Sequence, residues 1–417
     1  MNRVAFFALH NLVHVAFYIL PATIFNVFFR WPISALEWII GEKEMTLAPR
    51  KERRIVIIKN CKIPAASDFF GLPSCLYYEE PMYMGWVQTI LASPRPWLNV
   101  PYIRETLPAA DGKCLLQMDC LSPTNGKDAI GKALVLILPG VNSSSQAVHV
   151  QRLAMQLSQS GHYVVVLNAR DNKEDIPLYT QLLSDVQTED LRYVLKTVLT
   201  PTQLQQRMKT THVRPLIAVG FALGGVTLCK YIGEQGKRNE GTYLTAAIAM
   251  LVPFDSNAVH RYLHRIRKHQ NSACGDEQTL TYKQKQVEIM PQDDNNNNNK
   301  RRRSHNNDDN DEHANARSAK LPEKFHRAAD VYSALHAATI PVMCVATSND
   351  PLCGGPLHTR RWEAVVDSNA NVVYVEMPTG GHLAFMENPI EELQQKPNAG
   401  EQLIMRSLQA ICLKNRP

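Results

Sequence analysis

The chain has 417 residues, 45% of them hydrophobic, enough to bury one large α/β core with appendages. A formal net charge of +6, with no long basic face, excludes a nucleic-acid binder that must neutralise a row of phosphates. Nine scattered cysteines without a CxxC pair or a Cys/His cluster at ligand spacing read as thiols in a reducing compartment, and neither a metal nor a cofactor is expected.

In chain order, the first element is the stretch from Val4 to Phe29, which carries no Asp, Glu, Lys or Arg. At helical rise it is long enough to cross the ~30 Å hydrocarbon core of a bilayer. Residues 4–29 are therefore expected to form a single membrane anchor, with a cleaved signal peptide as the alternative. His10, Asn11 and His14 read as polar spots near the membrane interface. Arg3 alone precedes the span, whereas Arg30, Lys43, Arg50, Lys51, Arg53 and Arg54 follow it. That bias favours a cytosolic body; the membrane is expected to be intracellular, and the opposite orientation stays open. The sequon Asn142-Ser143-Ser144 points the other way, but it borders the expected active site and is read as chance.

Residues 30–106, punctuated by Pro and aromatics, are expected to be an extension packing on the core, with Arg54–Ile58 as a candidate early strand. From Cys114 strands and helices alternate, the pattern of a mainly parallel sheet covered on both faces. Leu134–Leu138, Tyr163–Leu167, Leu216–Phe221 and Leu244–Leu251 are continuous apolar runs, as doubly covered strands require. Between them, Gln146–Gln159 and Val186–Leu199 carry apolar residues at three and four spacing and predict helices. Val342–Ala346 and Val372–Val375 predict late strands, and an amphipathic helix around Leu403–Leu413 ends the chain. The expected organisation is a core in two parts, 107–252 and 331–417. They are interrupted at 253–330 by a reduced cap whose Asn/Asp-rich stretch, about 290–318, cannot bury enough apolar surface to order itself.

Gly220-Phe221-Ala222-Leu223-Gly224 joins an apolar strand to a helix and matches the G-x-S-x-G nucleophile elbow everywhere except its centre. Alone such a match is weak, since a tight strand–helix crossing also explains the glycines. The chain order strengthens it. Asp350 follows one late strand and His382 the next, the order of acid and base behind a nucleophile. Asp350 would orient the imidazole and His382 would act as the general base. The backbone N–H groups of Leu223 and Val141, the latter in the loop after Leu134–Leu138, are the candidate oxyanion donors.

These motifs carry a resemblance. Val219-Gly220-Phe221-Ala222-Leu223-Gly224-Gly225 with Cys229-Lys230-Tyr231-Ile232-Gly233-Glu234, Leu138-Pro139-Gly140, Asn349-Asp350-Pro351-Leu352 and Pro378-Thr379-Gly380-Gly381-His382-Leu383-Ala384-Phe385 together resemble AB hydrolase family four. Within it, the similarity points to the membrane-anchored monoacylglycerol lipase and acetylesterase branch. The resemblance runs from about Met84 to the C-terminus, excluding the Asn-rich stretch, and implies an α/β-hydrolase fold behind an N-terminal membrane helix. It also implies a serine at 222, an acid at Asp350 and a base at His382. The chain departs from that pattern at Ala222, at Trp86 in Gly85-Trp86-Val87-Gln88-Thr89 where the family has histidine, at Asn349 where it has aspartate, and in the cap.

A methyl group cannot attack an ester carbonyl, which closes the acyl-enzyme route. The expected function is a membrane-anchored pseudoenzyme that binds a fatty-acyl or lipid ester, or a protein partner on its divergent loops. The alternatives are an active acylglycerol lipase or short-chain carboxylesterase, with alanine introduced artificially or bypassed, and a purely structural protein. Ser143, Ser144 and Ser145 are poorly placed to replace the nucleophile.

Overall fold

The protein is described from a computed structural model, which covers residues 53–59, 65–73, 76–79, 88–89, 98–112, 114–124, 131–140, 143–168, 170, 188–208, 214–254, 330–353, 359–385 and 394–415. Among the described residues ten strands form one sheet: β1 (Arg53–Lys59), β2 (Leu76–Glu79), β3 (Ile103–Pro108), β4 (Leu115–Leu121), β5 (Leu134–Leu138), β6 (Tyr163–Leu167), β7 (Leu216–Phe221), β8 (Leu244–Met250), β9 (Val342–Thr347) and β10 (Val372–Met377). Their order across the sheet is β2-β1-β10-β9-β8-β7-β5-β6-β4-β3. The run from β6 to β10 is parallel throughout. Antiparallel β4 and β3 extend one side, and antiparallel β1 and β2 the other.

The apolar runs become the central strands because both faces of the parallel region are covered. The helices are α1 (Ala65–Phe69), α2 (Val148–Gln159), α3 (Glu189–Thr197), α4 (Pro201–Met208), α5 (Leu223–Lys237), α6 (Val331–Leu335), α7 (Thr359–Ser368) and α8 (Ala399–Lys414). Side chains alternate along each strand. Leu134, Leu136 and Leu138 of β5 therefore enter one apolar layer with Leu195 of α3, Tyr231 of α5, Leu335 of α6 and Trp362 of α7. Val135 and Ile137 enter the opposite layer with Phe70 next to α1, Leu153 of α2 and Leu408 of α8. A buried ion pair, Arg152 Nε to Glu401 Oε1 at 2.9 Å, ties α2 to α8 within that second layer.

The predicted strands and the helices at α2, α3 and α8 are present, with ends shifted by a few residues. β3 starts at Ile103, ahead of the boundary expected at 107. It is an edge strand with alternating, largely exposed positions, so it shows no apolar run. The anchor expected at 4–29 and the Asn/Asp-rich stretch about 290–318 lie outside the described residues. Among the described residues no helix is long and apolar enough to cross a membrane.

Candidate active site

The C-terminal ends of the parallel strands carry the described candidate positions: Gly140 just after β5, Ala222 after β7, Asp350 after β9 and His382 after β10. Ala222 takes φ 47° and ψ −116°, a left-handed conformation that an L-residue adopts only when its surroundings force it, at about 1–3 kcal/mol. The surroundings are visible in the flanking glycines. A Cβ on Gly220 would stand 2.6 Å from the Gly225 Cα, and one on Gly224 would stand 2.3 Å from the carbonyl oxygens of Leu138 and Pro139. Both positions must be glycine for β7 to turn directly into α5 beside the end of β5. Ala222 is buried, and its N–H donates to the Met250 carbonyl at 2.9 Å.

Leu223 opens the fifteen-residue helix α5, where first-turn N–H groups lie outside the intrahelical ladder and face the positive end of the helix dipole. The loop after β5 comes close: a Cβ on Gly140 would lie 3.2 Å from the Ala222 Cβ. Val141, the second oxyanion candidate, lies outside the described residues. The neighbouring Ser145 is held in place. Its Oγ donates to Asp119 Oδ2 at 2.5 Å and its N–H donates to Asn168 Oδ1 at 2.8 Å. Burial works to raise the Asp119 pKa, but donors from Arg104, Ser145 and Asn168 together outweigh it and keep the carboxyl below its usual range. Ser145 thus braces the loop and is not poised as a substitute nucleophile.

Asp350 and His382, 32 residues apart, meet with Nδ1 at 2.8 Å from Asp350 Oδ2. The other carboxylate oxygen accepts the N–H groups of Leu352 at 2.8 Å and Cys353 at 3.0 Å, so the acid is oriented by its own turn. Both side chains are buried. A short series of contacts joins this pair to the elbow. Ala222 is bonded to Met250, the next residue Leu251 donates its N–H to Val345, and its carbonyl accepts the Cys353 thiol at 3.3 Å. The Cys353 sulfur also lies 3.8 Å from His382 Nδ1. Donor atoms of Asp350, Cys353 and His382 fall within 4.8 Å of one another, yet the closest two are joined by a hydrogen bond suited to an acid–base pair and the thiol is directed at a carbonyl.

Sequence reasoning missed three contributors. Thr89 Oγ1 accepts the His382 N–H at 2.8 Å, Asn349 Oδ1 accepts the N–H groups of Gly380 and Gly381 at 3.1 and 3.0 Å, and Thr347 Oγ1 donates to the Gly381 carbonyl at 2.8 Å. Thr89 and Asn349 stand in segments that the motifs had marked, but their partners are long-range and leave no local pattern.

No family model matches the chain. Among curated proteins it is 24% identical over 320 residues to the embryogenesis-associated protein EMB8 of Picea glauca, covering 72% of this chain and 65% of that one. It is also 24% identical over 317 residues to mouse phospholipase ABHD3, covering 72% and 70%. The monoacylglycerol lipase of Saccharomyces cerevisiae is 20% identical over 300 residues, covering 69% and 63%. These likenesses fit a member of the AB hydrolase superfamily. The match spans 65% of EMB8 and 58% of the yeast medium-chain fatty acid ethyl ester synthase/esterase 2. Among solved structures, esterase Est1E from Butyrivibrio proteoclasticus is 14% identical with a TM-score of 0.40 over 73% of this chain and 98% of that one. The chain has a strained strand–helix turn centred on the methyl group of Ala222, a hydrogen-bonded Asp350–His382 pair and a braced loop after β5.

Proposed function

We propose that this AB hydrolase receives a fatty-acyl ester, of the acylglycerol or phospholipid class, and holds it without forming an acyl-enzyme. The observation that carries the reading is the methyl side chain of Ala222 in an elbow that keeps φ 47°, beside an Asp350–His382 pair at 2.8 Å. In this reading Ala222 stands at the nucleophile position, Asp350 at the acid, His382 at the base, and Leu223 and Val141 at the oxyanion donors. Relatives named as phospholipase and monoacylglycerol lipase support the ester class. Residues 4–29 are proposed as a single-pass anchor that keeps the body at a membrane facing the cytosol, where such esters are concentrated. The divergent loops are proposed as the surface for any protein partner.

A second reading is favoured by the intact pair: His382 activates a water in the space vacated by the missing hydroxyl and hydrolyses the ester directly, without a covalent intermediate. Incubating the purified chain with a radiolabelled monoacylglycerol distinguishes the two. Recovery of bound, intact ester supports the holding role. Steady release of fatty acid, abolished by His382→Ala, supports water-mediated hydrolysis and overturns it.

A further inference from the structure

The loop that carries His382 is conformationally demanding. Gly380 and Gly381 have φ of +148° and +58°, and the non-glycine residues Leu383 and Phe385 also lie at positive φ, +63° and +49°. Residues in such conformations hold only when the surroundings over-determine them. A Cβ on Gly380 would stand 2.8 Å from both the Phe385 ring and the Thr347 Cγ2, so the turn is closely packed as well. Without external restraint the His382 ring would sample orientations in which Nδ1 leaves Asp350.

Among the described residues, Asn398 Nδ2 donates to the Ala384 carbonyl on the far side of the loop at 3.2 Å, and three side chains hold the loop next to His382 itself. Thr347, at the end of β9, donates to the Gly381 carbonyl, and Asn349, two residues on, accepts two consecutive N–H groups from Gly380 and Gly381. Thr89 accepts the N–H of His382 itself from a segment 293 residues away. That last contact does not come from the strands that frame the site. Gln88, next to Thr89, is fully buried.

We infer that Thr89 and Asn349 are positioning residues that clasp the His382 loop and set the Nδ1 hydrogen bond to Asp350, making residues 88–89 an integral part of the acid–base machinery. The inference rests on the proposed reading of His382 as the base. A side-chain acceptor at 89 is required, and Ser meets the requirement whereas Val, of the same shape, does not. At 349 Asp retains the acceptor for both loop N–H groups, whereas Leu removes it.

The test uses the full-length chain in two forms. In the native Ala222 protein, the downfield proton resonance of His382 Nδ1–H reports the hydrogen bond to Asp350. Thr89→Val and Asn349→Leu are expected to broaden or lose it, while Thr89→Ser and Asn349→Asp retain it. In the Ala222→Ser protein, the same Val and Leu changes are expected to slow fluorophosphonate labelling by about tenfold or more, as displacement of a base by a fraction of an ångström does, with rescue by the conservative changes. An unchanged resonance and labelling rate in Thr89→Val and Asn349→Leu would overturn the inference. If Ala222→Ser is not labelled at all, the proposed esterase-type reading fails, and the resonance in the native chain alone decides the clasp.

Discussion

Restoring the missing oxygen by Ala222→Ser isolates one atom in an otherwise intact arrangement. The substitution adds no backbone strain, because φ 47° and ψ −116° are already imposed by the contacts of Gly220 and Gly224 and alanine and serine share the same left-handed penalty. The acid–base geometry is also in place before the change, with Asp350 oriented by two N–H donors and bonded to His382. Loss of the nucleophile in a serine hydrolase lowers turnover by about 10⁶-fold, equivalent to about 8 kcal/mol of transition-state stabilisation. Ala222→Ser is accordingly expected to raise hydrolysis of a p-nitrophenyl or monoacylglycerol ester by several orders of magnitude, up to about that limit. It should also convert the protein from unlabelled to stoichiometrically labelled by a fluorophosphonate. Two results would refute the reasoning: esterase turnover in the native chain within about tenfold of the serine form, which would demand another nucleophile, or a folded serine form that neither reacts nor turns over.

Gly224→Ala is expected to destabilise the fold by about 3 kcal/mol or more, because its Cβ would meet two backbone oxygens at 2.3 Å. Gly241→Ala, with nothing within 4 Å, serves as the near-neutral control in denaturant unfolding. Arg152→Met should cost about 3–5 kcal/mol by leaving Glu401 buried without its guanidinium, and adding Glu401→Gln should recover part of the loss in a double-mutant cycle. His162 supplies a pH dependence. Burial first, and then the nearby Lys132 charge, push its pKa down to about 4, and its Nδ1 must stay unprotonated to accept the Ala133 N–H at 3.1 Å. The unfolded imidazole binds a proton near pH 6.5 that the folded one refuses, so this stabilisation is complete above about pH 6.5 and is lost as pH falls toward 4. Between pH 7 and pH 4 the native chain should lose about 3 kcal/mol more unfolding free energy than His162→Gln. Equal losses in the two proteins would contradict the assignment.

The central sheet was legible because strands buried on both faces must be continuously apolar, and Leu134–Leu138, Leu216–Phe221 and Val372–Val375 are. The edge strand β3 was not, since its largely exposed positions leave no apolar run to betray it. The helix starting at Ala399 extends ahead of its apolar face through a capping box between Asn398 and Glu401, a polar signal that periodicity overlooks.

The sequence by itself pointed to the fold class, the strand–helix turn with alanine at its centre, and the order in which Asp350 and His382 follow it, because these are written in local composition and spacing along consecutive strands and turns. Only the tertiary structure decided that Asp350 and His382 meet at hydrogen-bond distance, that Ser145 is committed to Asp119, that the Cys353 sulfur lies against the Leu251 carbonyl and the His382 imidazole, and that Thr89 reaches His382 across 293 residues. The physical reason is that a side chain's partner and its proton affinity depend on what the folded sheet brings within a few ångströms of it. Chain neighbours do not encode that environment.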